Sequence, residues 1–221
     1  MDNSNVVYGI NVELLKDERV FEEWYQKMLT ERKKLIDAIK PEGSKRLSLG
    51  AGILLVNALK EHGMINPLVE CNENGKPYLV GEDGAYFNLS HSGEMAVCAF
   101  SDEEVSIDIE RNKEFKDELI NYVFDKREIR VVKDKASDAA STNAMYTSLW
   151  TIKESLMKYH GQGLSMDPRT IFIDIENGFT PYHKGEKYED LHFTRLSVDD
   201  YQICVCSSYE EFTDRVKMME I

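Results

Sequence analysis

Apolar positions along this chain change period several times, and each change marks an element. Residues 6–14 alternate imperfectly between apolar and polar and read as a strand. Two amphipathic helical stretches follow at 18–29 and 31–39. Residues 46–61 are apolar on most of their surface, which predicts a buried helix closed by Gly63. The period then falls to two. Short strands at 68–71, 77–80 and 86–89, separated by the turn signals NENG and GEDG, lead into MAVCAFS and, past a DEE turn, into VSIDIE.

The second half repeats this order. Helical patterning at 116–123 and 125–133 is followed by a polar loop, KASDAASTN, and a long helix at 144–160 that Gly161 and Gly163 close. Strands return at 170–176, at 191–196 and in DYQICVCSS, whose apolar alternation with a cysteine is similar to that of EMAVCAFSD in the first half. Helices followed by a small antiparallel sheet, twice over, predict an α+β fold. The expected architecture is two pseudo-duplicated halves, residues 1–104 and 105–221, each a small antiparallel sheet packed with helices. With no Pro-, Gly- or Ser-rich linker between them, they should form one compact unit with the active site in the cleft between the halves.

Composition narrows the function classes. A net charge of -13 argues against a general nucleic-acid binder, which needs a broad basic surface. The longest apolar runs are too short to cross a bilayer. The N-terminus lacks a basic start followed by an apolar block, so the expected location is the cytoplasm. Cys71, Cys98, Cys204 and Cys206 form no CxxC pair and read as buried free thiols on strands. Positive charge gathers locally at Arg32, Lys33, Lys34, Lys45 and Arg46, which is either a solvated helix face or a pocket for an anion.

Three segments carry candidate chemistry. The tetrapeptide IDIE occurs twice, in VSIDIERN and in IFIDIENG. On a strand each copy would project an Asp and a Glu from one face, as a solvated surface or around a cation. FNLSHSG offers two hydroxyls, an imidazole and a free-turning glycine: an anion cradle, a serine-rich turn or a Ser-His pair. In the long helix Trp150, Glu154 and Lys158 follow at four-residue steps along one stripe, where a Glu–Lys helix pair beside a packed tryptophan is the simplest account.

Read in order, GKPYL, FNLSHSG, SIDIE and WTIKESLMKYHGQGL resemble the motifs of the 4'-phosphopantetheinyl transferases, in their longer, monomeric, surfactin-type branch. That family moves the phosphopantetheine arm of coenzyme A to a serine of an apo acyl or peptidyl carrier protein and releases 3',5'-ADP. The resemblance implies that Asp108 and Glu110 bind magnesium with Glu154 as third carboxylate, and that Lys158 contacts the phosphates. It implies that Ser90 and His91 touch coenzyme A phosphate, that Lys76 and Pro77 lie near the adenine, and that Arg46, with Lys33 as a second contact, meets the 3'-phosphate. Glu154 or Glu128 would take the serine proton.

The residues are chemically suited to those parts. Magnesium keeps several waters and shares itself with substrate phosphate, so two or three carboxylates suffice. A lysine is a compact charge for an oxyanion. Ser106 departs from the family, where a glycine commonly precedes IDIE. The acidic total suggests that the carrier, often acidic itself, is met through apolar contacts, for which residues 133–143 are the candidate loop. The second IDIE runs into Asn177-Gly178, a hairpin signal, and reads as a solvated strand face. The rival readings are an inactive coenzyme A or carrier binder and a metal-dependent phosphohydrolase.

Overall fold

The structure, a computed structural model, describes residues 5–64, 67–73, 75–81, 84–209 and 212–221. The turn signals NENG and GEDG fall partly on residues 74, 82 and 83, outside the described residues. Strand β1 (Val6–Asn11) leads through a short 3-10 turn to helices α1 (Glu18–Gln26), α2 (Thr30–Ala38) and α3 (Glu42–Glu61). Strands β2 (Val69–Cys71), β3 (Pro77–Leu79), β4 (Tyr86–Ser92), β5 (Met95–Ser101) and β6 (Val105–Arg111) follow. Helices α4 (Asp117–Val123), α5 (Lys126–Lys135) and α6 (Ala139–Tyr159) then precede β7 (Ile171–Asp174), β8 (Thr180–His183), β9 (Glu186–Lys187), β10 (His192–Val198), β11 (Tyr201–Ser207) and β12 (Val216–Met219).

The architecture is α+β with small, mainly antiparallel sheets. The first sheet runs β12-β1-β5-β4 and the second β10-β11-β6. Their strand orders differ, four against three, and β12 returns from the end of the chain to pair in parallel with β1. Period two explains the layering. On β5, Ala96, Cys98 and Phe100 face the core beneath α1 to α3, while Met95, Val97 and Ala99 face the second sheet. On β6, Val105, Ile107 and Ile109 meet them from the other side. On β11, Cys204 and Cys206 turn the opposite way, into the core beneath α4 to α6. The layers are therefore helices, sheet, sheet, helices. Three cysteines are buried as expected, but Cys71 is exposed at the end of β2, in a two-stranded sheet that packs on the first core through Val69 and Leu79.

Several elements depart from their sequence-predicted places: the strand predicted at 6–14 stops at Asn11 before a 3-10 turn, the helix predicted at 18–29 ends at Gln26, the helix predicted at 46–61 begins at Glu42, and β8, β9 and β12 have no counterpart among the predicted strands. β4 continues through Ser90, His91 and Ser92 instead of turning there, and Ser92 pairs with Met95 across the hairpin. α6 starts at Ala139, because Asp138 accepts the Ser141 backbone N–H while the Ser141 hydroxyl accepts the Asp138 N–H, a reciprocal cap. The predicted loop 133–143 is thus mostly the ends of two helices, and the place proposed for apolar carrier contacts carries few apolar side chains.

Helix α3 lies against β5, β1 and β4, and its small residues permit close approach. A Cβ at Gly50 would fall inside the contact radius of Val12 Cγ1 and within 3.4 Å of Ile10 Cγ2. Gly50→Ala should therefore cost about 1–3 kcal/mol through overpacking, read as a lowered midpoint in urea with unchanged slope.

Candidate active site

The edges of the two sheets meet at β4 and β6, and side chains rather than a backbone ladder join them. Asn88, Ser90 and Ser92 share one face of β4. Asn88 Oδ1 accepts from the Ile107 N–H (2.9 Å), Ser90 Oγ from Ile109 (3.4 Å) and Ser92 Oγ from Arg111 (3.2 Å). Each serine also donates to the carboxylate one residue earlier: Ser90 Oγ to Asp108 Oδ1 at 2.9 Å, and Ser92 Oγ to Glu110 Oε2 at 2.8 Å. Gly93 ends β4 at φ +59°, and a Cβ there would strike the Tyr201 hydroxyl, which accepts from the Glu94 N–H.

Helix α6 closes the other side. Lys158 does not form the simple i,i+4 pair with Glu154. Its Nζ instead donates to Asp108 Oδ1 (2.7 Å), Ser90 Oγ (2.9 Å) and the Ile107 carbonyl (3.2 Å). Ser106 Oγ donates to the Ser155 carbonyl at 2.6 Å, so the serine found in place of glycine adds a bond between β6 and α6. Asp108 is 5% exposed, and its Oδ2 is buried with no hydrogen-bond partner. Burial pushes its carboxyl upward, against Lys158 and Ser90, which favour the charged form. Glu154 is pushed up to about 7, first by burial and then by the charge of Asp108, with Glu110 adding to it and Lys158 opposing.

Asp108, Glu110, Glu154 and Lys158 line one cavity of about 400 Å³ with Ser90 and His91. An unpaired buried carboxylate oxygen facing a second carboxylate that gains from a nearby positive charge is a hard-oxygen set that fits a small divalent cation. Among the described residues no group of three or more His, Cys, Asp or Glu side chains is by itself arranged to hold a metal ion. A site that shares its ion with substrate phosphate has no need of one.

The expected anion contacts divide. Lys158 and Pro77 also line an adjoining cavity with Lys76, whose ammonium pairs with Glu104. The His91 ring, though solvent-exposed, is held below its ordinary pKa by partial desolvation and by the charges of Lys158 and Arg32. Lys33 donates to the Gln26 carbonyl (3.0 Å) and lies over the Tyr25 ring, facing α1. Arg46 lines a separate cavity beside Lys16, Glu18 and Glu22. The guanidinium that does reach the main cavity is Arg32, one residue before Lys33, packed across Gly52 and without an ion-pair partner among the described residues. Burial lowers its pKa. Its signal was present in the basic cluster, but helix phase decides which of two neighbouring bases faces inward.

Glu128 lies elsewhere. Both it and Lys153 are fully buried, with Lys153 Nζ 2.9 Å from Glu128 Oε2. The same ammonium donates to the carbonyls of Val123 and Ile171, each at 2.9 Å. Glu128 also accepts from the Asp125 and Ile173 N–H groups, each at 2.7 Å. It therefore has no free face toward the cleft, and a role as proton acceptor is not supported. Burial pushes Glu128 up and Lys153 down, while the ion pair and its bonds oppose both shifts. The second IDIE is also settled in place: Asp174 ends β7 and caps a turn, accepting from Glu176, Asn177 and the Asn177 amide.

Paired carboxylates, a lysine and serine hydroxyls thus line one cleft. Residues 104–206 match the family model of the 4'-phosphopantetheinyl transferase superfamily. The 4'-phosphopantetheinyl transferase Sfp of Bacillus subtilis is 30% identical over 149 residues, 66% of this chain and 66% of that protein. A second Bacillus subtilis 4'-phosphopantetheinyl transferase is 28% identical over 181 residues, 80% of each chain. The transferase gsp of Aneurinibacillus migulanus is 32% identical over 150 residues, 67% of this chain and 62% of that protein. The chain thus spans just under two thirds of the length of the first and third of these relatives. The chain belongs to the 4'-phosphopantetheinyl transferase superfamily, in the branch that these relatives represent.

The buried pair gives a direct check on Glu128. Glu128→Gln leaves Lys153 charged in a dry site and should cost about 3–5 kcal/mol of stability. Turnover per folded molecule, measured well below the melting temperature, should stay within about twofold of the parent, because Glu128 acts through structure. A loss of turnover at full folding would restore it to the reaction.

Proposed function

We propose that this protein transfers the 4'-phosphopantetheine arm of coenzyme A to a serine of an apo acyl or peptidyl carrier domain, releasing 3',5'-ADP, with magnesium, as a cytoplasmic monomer. The observation that carries the reading is the meeting of Asp108, Glu110, Glu154 and Lys158 in one cavity, with Asp108 Oδ2 buried and unpaired. Family membership and the names of the relatives support the class of reaction.

Asp108, Glu110 and Glu154 would hold the magnesium, which when bound offsets pyrophosphate charge. Arg32, Lys76 and His91 line the walls where the other phosphates of coenzyme A would lie. Lys158, already drawn to Asp108, holds positive charge beside the phosphate that departs. The carrier serine oxygen bonds to the β-phosphorus as the bond to the 3',5'-ADP oxygen breaks. Glu154, on the wall of the same cavity, would accept the serine proton directly or through a water.

Intact mass of an apo carrier domain incubated with the protein, coenzyme A and magnesium tests this. The expected gain is about 340 Da, the arm transferred by phosphoryl chemistry, and EDTA should abolish it. Unchanged carrier mass across acyl and peptidyl classes, with coenzyme A still bound, would favour a binding protein. Carrier-independent cleavage of coenzyme A would favour a phosphohydrolase. The two IDIE copies should separate in the same assay: Asp108→Ala should cost about a hundredfold or more in rate, whereas Asp174→Ala should leave the rate nearly intact.

A further inference from the structure

The two carboxylates of β6 are not held alike. Asp108 Oδ1 receives both the Ser90 hydroxyl (2.9 Å) and the Lys158 ammonium (2.7 Å), so β4 and α6 together fix its place. Glu110 is one methylene longer, stands next to the end of β6 and is only half-buried. Its Oε2 receives the Ser92 hydroxyl at 2.8 Å and the Lys113 ammonium at 3.2 Å. Lys113 is 47% exposed, and an ion pair of that kind is screened and contributes little. The firm contact on Glu110 is therefore the one from Ser92.

The Ser92 hydroxyl has little freedom of its own. A serine oxygen carries one proton and two lone pairs. One lone pair takes the Arg111 N–H at 3.2 Å, which sets the oxygen in the seam between β4 and β6 with its proton directed to Glu110. Ser92 is not among the described residues that line the cavity, whereas Glu110 is, so the serine acts on a ligand there only through that carboxylate. Carboxylates that ligate a cation depend on outer hydrogen-bond partners of this sort for their orientation. Without the bond, the rotamers of Glu110 are free to follow Lys113, whose ammonium lies over the Phe115 ring. We infer that Ser92 is a positioning residue that holds Glu110 toward the cavity and thereby sets the affinity of the site for a divalent cation. The inference rests on the reading of Asp108, Glu110 and Glu154 as cation ligands.

The test is titration of manganese, a paramagnetic substitute for magnesium, into the full chain with saturating coenzyme A and no carrier. Free ion is read by electron paramagnetic resonance, with coenzyme A alone as background. Ser92→Ala should weaken manganese binding by about tenfold or more, and Ser92→Thr, which restores the hydroxyl, should recover most of the loss. Asn88→Ala is the structural control: it removes the seam bond to the Ile107 N–H, a bond that involves neither carboxylate, and should leave manganese affinity nearly unchanged. In the transfer assay, Ser92→Ala should shift the magnesium requirement more than the rate at saturating magnesium. Circular dichroism checks that each variant is folded. Equal affinity in parent and Ser92→Ala, a loss that threonine does not recover, or a loss matched by Asn88→Ala overturns the inference and leaves the cation site standing. A parent that binds no more manganese than coenzyme A alone sinks the cation reading and the inference with it. Manganese bound by the parent and lost in Ser92→Ala, with no carrier ever modified, supports the inference and sinks the transferase reading alone.

Discussion

The active cleft depends on a seam in which hydroxyls and an amide replace a β-ladder. Both β4 and β6 are edge strands of their own sheets, and unpaired edges are a liability unless covered. Here each edge covers the other through Asn88, Ser90 and Ser92, which take the N–H groups of Ile107, Ile109 and Arg111. An interposed side chain holds the backbones further apart than direct pairing would. The opening so formed lies where Asp108 and Glu110 project, and the serines that make the seam also orient those carboxylates.

Gathering two half-exposed carboxylates around a buried one is costly, and the fold supplies several offsets. Lys158 neutralises part of the charge on Asp108, and the two seam serines donate to the acids they face. The offset is incomplete: Asp108 Oδ2 is left unpaired and Glu154 is raised to about 7. Remaining need for positive charge is the physical content of the cation proposal. It also separates the two copies of IDIE, since Asp174 satisfies itself on a turn and has no such need.

Local periodicity was enough to read most elements, because each burying face repeats at 2 or 3.6 residues. The misreadings have specific causes. Ser90 to Ser92 carried turn chemistry in their residue types, yet they continue the same alternation, since Asn88, Ser90 and Ser92 are one face of a strand. The start of α6 was hidden in the polar run KASDAASTN, although the Asp138 and Ser141 spacing is itself a capping signal. The parallel pairing of β12 with β1 joins residues about 210 positions apart, and no local pattern encodes it. In the site, the four-residue steps along α6 and the period of two in IDIE were legible. Which base among Arg32, Lys33 and Arg46 faces the cavity was not, because that is set by tertiary packing against Gly52 and α1.

The motif WTIKES shows why some residues that mark the site do not act in it. Three consecutive residues of α6 point about 100° apart and so meet three different surroundings. Lys153 points into the helical core and ties α6 to α4, α5 and β7 through Val123, Glu128 and Ile171. Glu154 faces the cleft. The carbonyl of Ser155 receives the Ser106 hydroxyl and fixes the helix to β6. A carboxylate whose position is constrained on both sides by buried bonds can be held at a fixed place despite the repulsion of Asp108 and Glu110. The sequence FDKREI belongs to the same device: Glu128 completes the anchor for Lys153.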